Sequence, residues 1–202
     1  MTHSLQVTVH RANHLDDVEH FGKNDPYAQI TLNFADSHSF QKTSVKKNGG
    51  KDVEWEQTLT LEEFDQSEHH DLYVEVLDDE TTVDAPIGFT AIPLHQVLDA
   101  PGRSFKGKFD LFTPDGKQKG TISLTVTVLQ AGHSAHENDG PEVKGQSQIV
   151  SDHQKRIKAL KYKEKAADGA ALAGAAALAV GAKFLLDKHK DQKKAEKEGL
   201  EI

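Results

Sequence analysis

The sequence predicts an all-β fold, an eight-stranded antiparallel Greek-key sandwich followed by a linker and a C-terminal α-helix. Three observations predict it. From Leu5 to Gln130 apolar and polar residues alternate with a period of two, as in half-buried strands. Gly, Pro, Asp or Asn separates most of the alternating runs, the spacing of a sandwich rather than of βα units. After Gln130 the alternation ends, and the last fifty or so residues are rich in the helix formers Ala, Lys, Leu and Glu.

The strands follow in order. The run beginning at Leu5-Gln6-Val7-Thr8-Val9 is the first, and Tyr27–Phe34, Ser39–Val45, Trp55–Leu61, Leu72–Leu77, Gly88–Leu94, Gly107–Phe112 and Thr121–Leu129 continue the set. Thr121–Leu129 alternates most cleanly, and Pro114-Asp115-Gly116 before it reads as a turn. Val97 and Leu98 fit one helical turn between strands. Residues 132–150, with Gly, Ser, His, Asn and Pro, read as a flexible linker. Ser151 then reads as a helix N-cap with Gln154 reaching back to it. The expected units are a sandwich over 1–131, the linker over 132–150 and a Lys/Ala-rich helical tail over 151–202.

Charge is unevenly spread along the 202 residues. The net formal charge is −8, with 11 Lys/Arg against 21 Asp/Glu in residues 1–131 and 12 against 8 in residues 151–202. An acidic body argues against nucleic-acid binding, which needs a basic reading surface. The basic tail suits anionic lipid or a fold-back onto the body. The chain has no Cys, which excludes disulfides and thiolate zinc sites and fits a reducing compartment. Met1-Thr2-His3-Ser4 leads directly into the first strand, so no secretory signal is expected. Phosphate-loop and nucleophile-elbow motifs are missing, and the 12 His residues have no zinc spacing. The expectation is a binding module and not an enzyme.

Two acidic loops carry the functional reading. Asp16 to Tyr27 joins the first two strands, and Asp78 to Gly88 joins the fifth to the sixth. Sandwich loops cluster at the ends, and carboxylates gathered there repel one another unless a cation neutralises them. Calcium accepts six to eight oxygens in loose geometry, so such loops suit it.

The segment Gly22-Lys23-Asn24-Asp25-Pro26-Tyr27 resembles the first calcium loop and G-x-S-D-P-Y signature of the C2 domain family. Lys42-Thr43, then Val53-Glu54-Trp55-Glu56-Gln57, and Val76-Leu77-Asp78 with Ile87-Gly88, resemble further family stretches. The resemblance runs over residues 5 to 130, is closest to small plant and fungal single-C2 proteins, and implies the permuted strand topology of the family.

It also implies a calcium site at five Asp positions. Asp25 and Asp78 match; Glu19 and Glu80 keep the charge at two more. Ala85 stands at the fifth, with Asp84 beside it in a loop one residue short. The expected metal ligands are thus Glu19, Asp25, Asp78, Glu80 and Asp84, for Ca²⁺. The family's lysine-rich surface implies acidic phospholipid contacts at Lys23, Lys42, Lys46, Lys47 and Lys51, with Phe21 at a loop tip. Lys46 and Lys47 fit equally the role of keeping a hairpin soluble.

For the tail, Gly169–Ala182 is a run of 14 small or apolar residues, short of the ~20 that span a bilayer. A self-associating helix, an interfacial anchor and a solvated helix all remain open. The expectation is a cytoplasmic, peripherally membrane-associated C2 module regulated by calcium. The rival is a calcium-independent protein-interaction scaffold with a self-associating tail.

Overall fold

Strand β1 (His3–Asn13) turns Leu5, Val7, Val9 and Ala12 inward, and an irregularity between Val9 and Arg11 lets both Val9 and Ala12 face the core. The computed structural model describes residues 3–19, 22–130, 138, 140–167 and 169. The strands after β1 are β2 (Pro26–Thr31), β3 (Gln41–Lys42), β4 (Val53–Phe64), β5 (Asp71–Asp78) and β6 (Ala85–Pro93). They are completed by β7 (Ser104–Phe112), β8 (Gln118–Gln130) and a two-residue β9 (Val143–Lys144). The expected helical turn is α1 (His95–Leu98), with Val97 buried beneath it. The expected third strand shrinks to two residues, because beyond Lys42 the pairing with β2 becomes irregular. Thr43 N–H reaches the Ala28 carbonyl at 2.9 Å, and the next bond, Lys46 N–H to the Pro26 carbonyl at 3.0 Å, is three residues on against two in β2.

The sheet order is β3-β2-β5-β6-β7-β8-β1-β4, all antiparallel, with β9 beside β7. Only Phe89 and Phe112 pair between β6 and β7, so the chain folds there into two four-stranded layers. Between them lies the core, including Leu5, Val7, Ile30, Trp55, Val74, Ile87, Phe109, Leu111, Ile122 and Leu124. β8 pairs with β1 along nearly its whole length, so the last sandwich strand closes the layer on the first.

The stretch read as a linker is, in its second half, part of this architecture. Val143 and Lys144 pair parallel to Gly107 and Lys108 of β7, and Gln148 exchanges both backbone hydrogen bonds with Ala91 of β6, each at 2.9 Å. The physical reason is the gap between β6 and β7: with one pair joining them, both edges keep free N–H and C=O groups that another strand can satisfy.

Helix α2 (residues 151–167) follows and lies on the outer face of the β3-β2-β5-β6 layer. β2 and β6 are consequently almost wholly inaccessible, while β3 at the edge of the layer stays exposed. The expected cap differs: Gln154 N–H bonds to the Val150 carbonyl, and its side chain donates to the Pro114 carbonyl at 3.1 Å rather than folding back to Ser151.

A buried polar cluster fixes α2 in place. Glu75 on β5 and His153 on α2 have side chains with no solvent exposure. His153 Nε2 and Arg156 Nε lie 3.0 and 2.9 Å from Glu75 Oε1, and Gln29 Nε2 donates to Oε2 at 2.5 Å. Burial favours the neutral acid, but His153 and Arg156 outweigh it and hold Glu75 below its ordinary pKa. The His153 ring sits among Phe34, Tyr73 and Phe89. Most of the Lys/Ala-rich tail, from residue 170 on, lies outside the described residues, as does Phe21. Among the described residues no helix is long and apolar enough to cross a membrane.

Candidate cation site at the loop end

Three loops meet beyond the ends of β1, β2 and β5. The first, residues 14–25, is braced by Asn24, only 1% exposed. Its Oδ1 accepts from Val18 N–H at 3.2 Å and its Nδ2 donates to the Asp16 carbonyl at 2.7 Å. Its own carbonyl accepts from Gly50 N–H at 2.9 Å, which ties in the second loop, residues 43–52. Gly50 has φ +70, a left-handed conformation that strains other residues. The third loop, residues 79–84, joins through Asp79 N–H to the Asp25 carbonyl at 3.2 Å.

At the junction stands Asp78. Its side chain is fully buried; Oδ1 accepts from Asp25 N–H at 2.5 Å, and Oδ2 has no hydrogen-bond partner. Glu19 and Glu80 bring carboxylate oxygens to within 4.8 Å of it and of one another. Burial, then the charges of Glu19, Glu80 and Asp25, push Asp78 up to about 7, against the Asp25 N–H that favours its anion. An orphaned buried oxygen is costly. With two more carboxylates beside it, the arrangement fits a hard cation that takes oxygen ligands, Ca²⁺ above all.

A family model for the C2 domain matches residues 3–111, just over half of the chain. The chain belongs to the C2 domain family. It is 30% identical over 128 residues to "Protein SRC2 homolog" of Arabidopsis thaliana, a match covering 60% of this chain and 39% of that protein. It is 28% identical over 159 residues to a "Calcium-dependent lipid-binding protein" of the same plant, covering 76% of this chain and 29% of the relative. The chain therefore spans well under half the length of either. The fold is also that of a C2 domain from plant Extended Synaptotagmin 1, with TM-score 0.53 and 21% identity over 64% of this chain and 96% of that one.

Of the five expected ligands in this C2 domain, the structure gathers Glu19, Asp78 and Glu80 and engages the other two elsewhere. Asp25 Oδ1 accepts from Asn48 N–H at 2.5 Å and its Oδ2 lies 3.0 Å from Lys47 Nζ. The Asn48 N–H, with help from Lys47, holds Asp25 below the usual carboxylate range. Asp84 Oδ2 accepts from the Tyr27 hydroxyl at 2.6 Å, and its Oδ1 from Glu80 N–H at 3.1 Å. Burial and Asp84 push the Tyr27 phenol well up. Ala85 begins β6 opposite Asp78, so the position beside Asp84 serves the ladder.

The lysines divide similarly. Lys47 bridges Asp25 and Asp79, the latter at 2.7 Å, and Lys51 pairs with Asp17 at 3.1 Å. Lys42 is exposed with its ammonium 5.3 Å from the centre of the Tyr27 ring, and Lys23 is exposed in the first loop. Lys46 is half-buried and uses its N–H on the Pro26 carbonyl. Sequence reasoning missed Lys47 as a cation inside the acidic loops. The pairing depends on a turn that folds residues 46–49 back over Pro26, and no local spacing announces it.

Proposed function

We propose that this chain is a C2 module that docks on membranes containing acidic phospholipid, and that Ca²⁺ strengthens the docking. The observation that carries the reading is the buried Asp78 carboxyl, its Oδ2 unpartnered, gathered with those of Glu19 and Glu80. Calcium held by these three carboxylates would satisfy Oδ2 and cancel the local charge that repels anionic head groups. Asp25 and Asp84 would complete the oxygen set by leaving their present hydrogen bonds. The relative named "Calcium-dependent lipid-binding protein" supports the same direction. Binding rather than turnover is the mechanism, and a cytoplasmic, membrane-peripheral location follows from it.

The test is co-sedimentation of the full chain with phosphatidylserine vesicles, in calcium and in chelator. Calcium is expected to raise the bound fraction, and Asp78→Asn to remove the increase. Equal binding in both conditions would sink the calcium switch.

Lys47 favours a second reading. Its ammonium already neutralises part of the acidic loop end, as a calcium-independent C2 scaffold requires. Direct calorimetric titration separates the two, because a scaffold of this kind gives no heat with Ca²⁺.

A further inference from the structure

Helix α2 climbs the outer face of its layer in the direction of β5. His153 meets Glu75 and Tyr73; Arg156 reaches Glu75 and covers the Phe40 ring at 4.7 Å. One turn later Leu160 lines a cleft with Tyr27, Leu77, Thr82, Val83 and Asp84, the last three belonging to the third loop. From Arg156 to Tyr162 the helix advances about 9 Å, at ~1.5 Å per residue. From Glu75 to Asp78 the strand advances about 10 Å, at ~3.3 Å per residue. Tyr162, Lys163 and Lys165 are therefore carried to the level of Asp78, beside the acidic loops and on the side of α2 that no strand covers.

What those residues present is unusual for this surface. Tyr162 is 72% exposed, the most exposed large apolar side chain among the described residues. Three other cations of α2 are paired: Lys155 with Asp152, Arg156 with Glu75 and Lys161 with Asp115. Lys163 and Lys165 are exposed, and among the described residues neither is in an ion pair. Residues 151–167 hold six Lys/Arg against two Asp/Glu, on a body that is strongly acidic. A ring with a polar tip between ammonium groups matches the chemistry of a head-group layer, where Tyr and Lys both anchor. In sequence the apolar run Gly169–Ala182 follows at once, which favours a bilayer over an acidic protein as the occupant.

We propose that the end of α2, through Tyr162, Lys163 and Lys165, forms a second, metal-independent contact with an anionic bilayer, at the same end of the sandwich as the acidic loops. The inference rests on the membrane-module reading but not on the calcium site. Two weak contacts on one rigid body reinforce each other, because forming one places the other at high effective concentration. The helix contact holds the domain on the surface in chelator, and the loops add to it when a cation arrives.

The experiment is flotation of the full chain with vesicles of phosphatidylserine in phosphatidylcholine, or of phosphatidylcholine alone, with chelator or calcium. Tyr162→Ala, Lys163→Glu and Lys165→Glu are combined in one variant, and Asp78→Asn is run beside it. In chelator the combined variant is expected to lose about tenfold in affinity for the phosphatidylserine vesicles. Asp78→Asn should remove the calcium increment. Wild-type binding in chelator that the combined variant retains would overturn the helix contact while leaving the calcium reading intact. So would failure of the wild type to bind at all in chelator, or equal binding to the neutral vesicles. A second readout is Tyr162→Trp, read against the buried Trp55: its emission should shift to the blue on phosphatidylserine vesicles in chelator, and an unshifted spectrum contradicts the contact.

Discussion

The main-chain N–H of Asp25 donates to Asp78 Oδ1 at 2.5 Å. That bond ties the end of the first loop to the end of β5, across fifty-three positions of sequence. It engages one oxygen of the Asp78 carboxyl and leaves Oδ2 without a partner, while a carboxylate oxygen of Asp78 lies within 4.8 Å of those of Glu19 and Glu80. Two acidic segments thereby become one site, whose charge the fold tolerates only by protonation or by a cation.

The first consequence is a pH dependence. Asp78 moves from 3.8 to about 7 on folding, chiefly through burial. A folded pKa above the unfolded one means that the folded state holds this proton more tightly. The stability from protonated Asp78 is full below about pH 4 and is lost as the pH climbs to about 7. In chelator, thermal unfolding of the wild type should worsen across that window relative to Asp78→Asn, which keeps an acceptor for the Asp25 N–H. Calcium at neutral pH should close the difference. Parallel curves for the two proteins would mean that Asp78 ionises at its ordinary value.

Lys47 sets a second expectation. Its ammonium lies within 3.0 Å of Asp25 and 2.7 Å of Asp79, and these carboxylates hold its pKa above the ordinary value. Lys47→Gln removes one positive charge from the neighbourhood of the proposed cation. The side chain is more than half exposed, so solvent screens the effect and the gain is modest. Calcium affinity by calorimetry should rise about fivefold. Weaker binding would assign Lys47 the opposite role, positioning Asp25 for the metal.

The sandwich was legible because its strands alternate and its turns carry Gly, Pro and Asp. The acidic loops were legible because the two runs flank recognisable strands. What escaped the sequence is long-range pairing. Glu75 sits in Leu72–Leu77 on the side opposite the core residues Val74 and Val76, the pattern of a solvated strand face. Its burial depends on His153 and Arg156, roughly eighty residues away. The segment 140–150 reads as linker by composition, yet the weakly joined β6–β7 corner offers backbone partners that composition cannot reveal.

His153→Ala tests how firmly α2 is held. The substitution removes one of the groups that satisfy a fully buried carboxylate and opens space among Phe34, Tyr73 and Phe89. Breaking one side of a buried pair costs about 3–5 kcal/mol. Urea unfolding should show a loss of that order. Glu75→Gln, which removes the charge but keeps the shape, should cost less. A change under ~1 kcal/mol for His153→Ala would mean that water replaces the imidazole without strain.

Gly145 gives the last prediction, at the point where the chain returns to β7. Its N–H bonds to the Lys108 carbonyl at 2.9 Å. A methyl on its Cα would collide with Cε1 of the Phe109 ring and meet two more ring carbons at 2.6 and 2.8 Å. Phe109 is fully buried and cannot retreat into the core without displacing its neighbours. Gly145→Ala must therefore either lift residues 143–148 from β7 or push the ring out of its place. Overpacking of this kind costs about 1–3 kcal/mol. If the strand lifts, the Gln148–Ala91 bonds and the seat of α2 loosen with it, and amide exchange should quicken at Gly145, Gln148 and Gln154 while β1 and β8 stay protected. Uniform quickening through the sandwich would instead show that the ring moved and the core gave way.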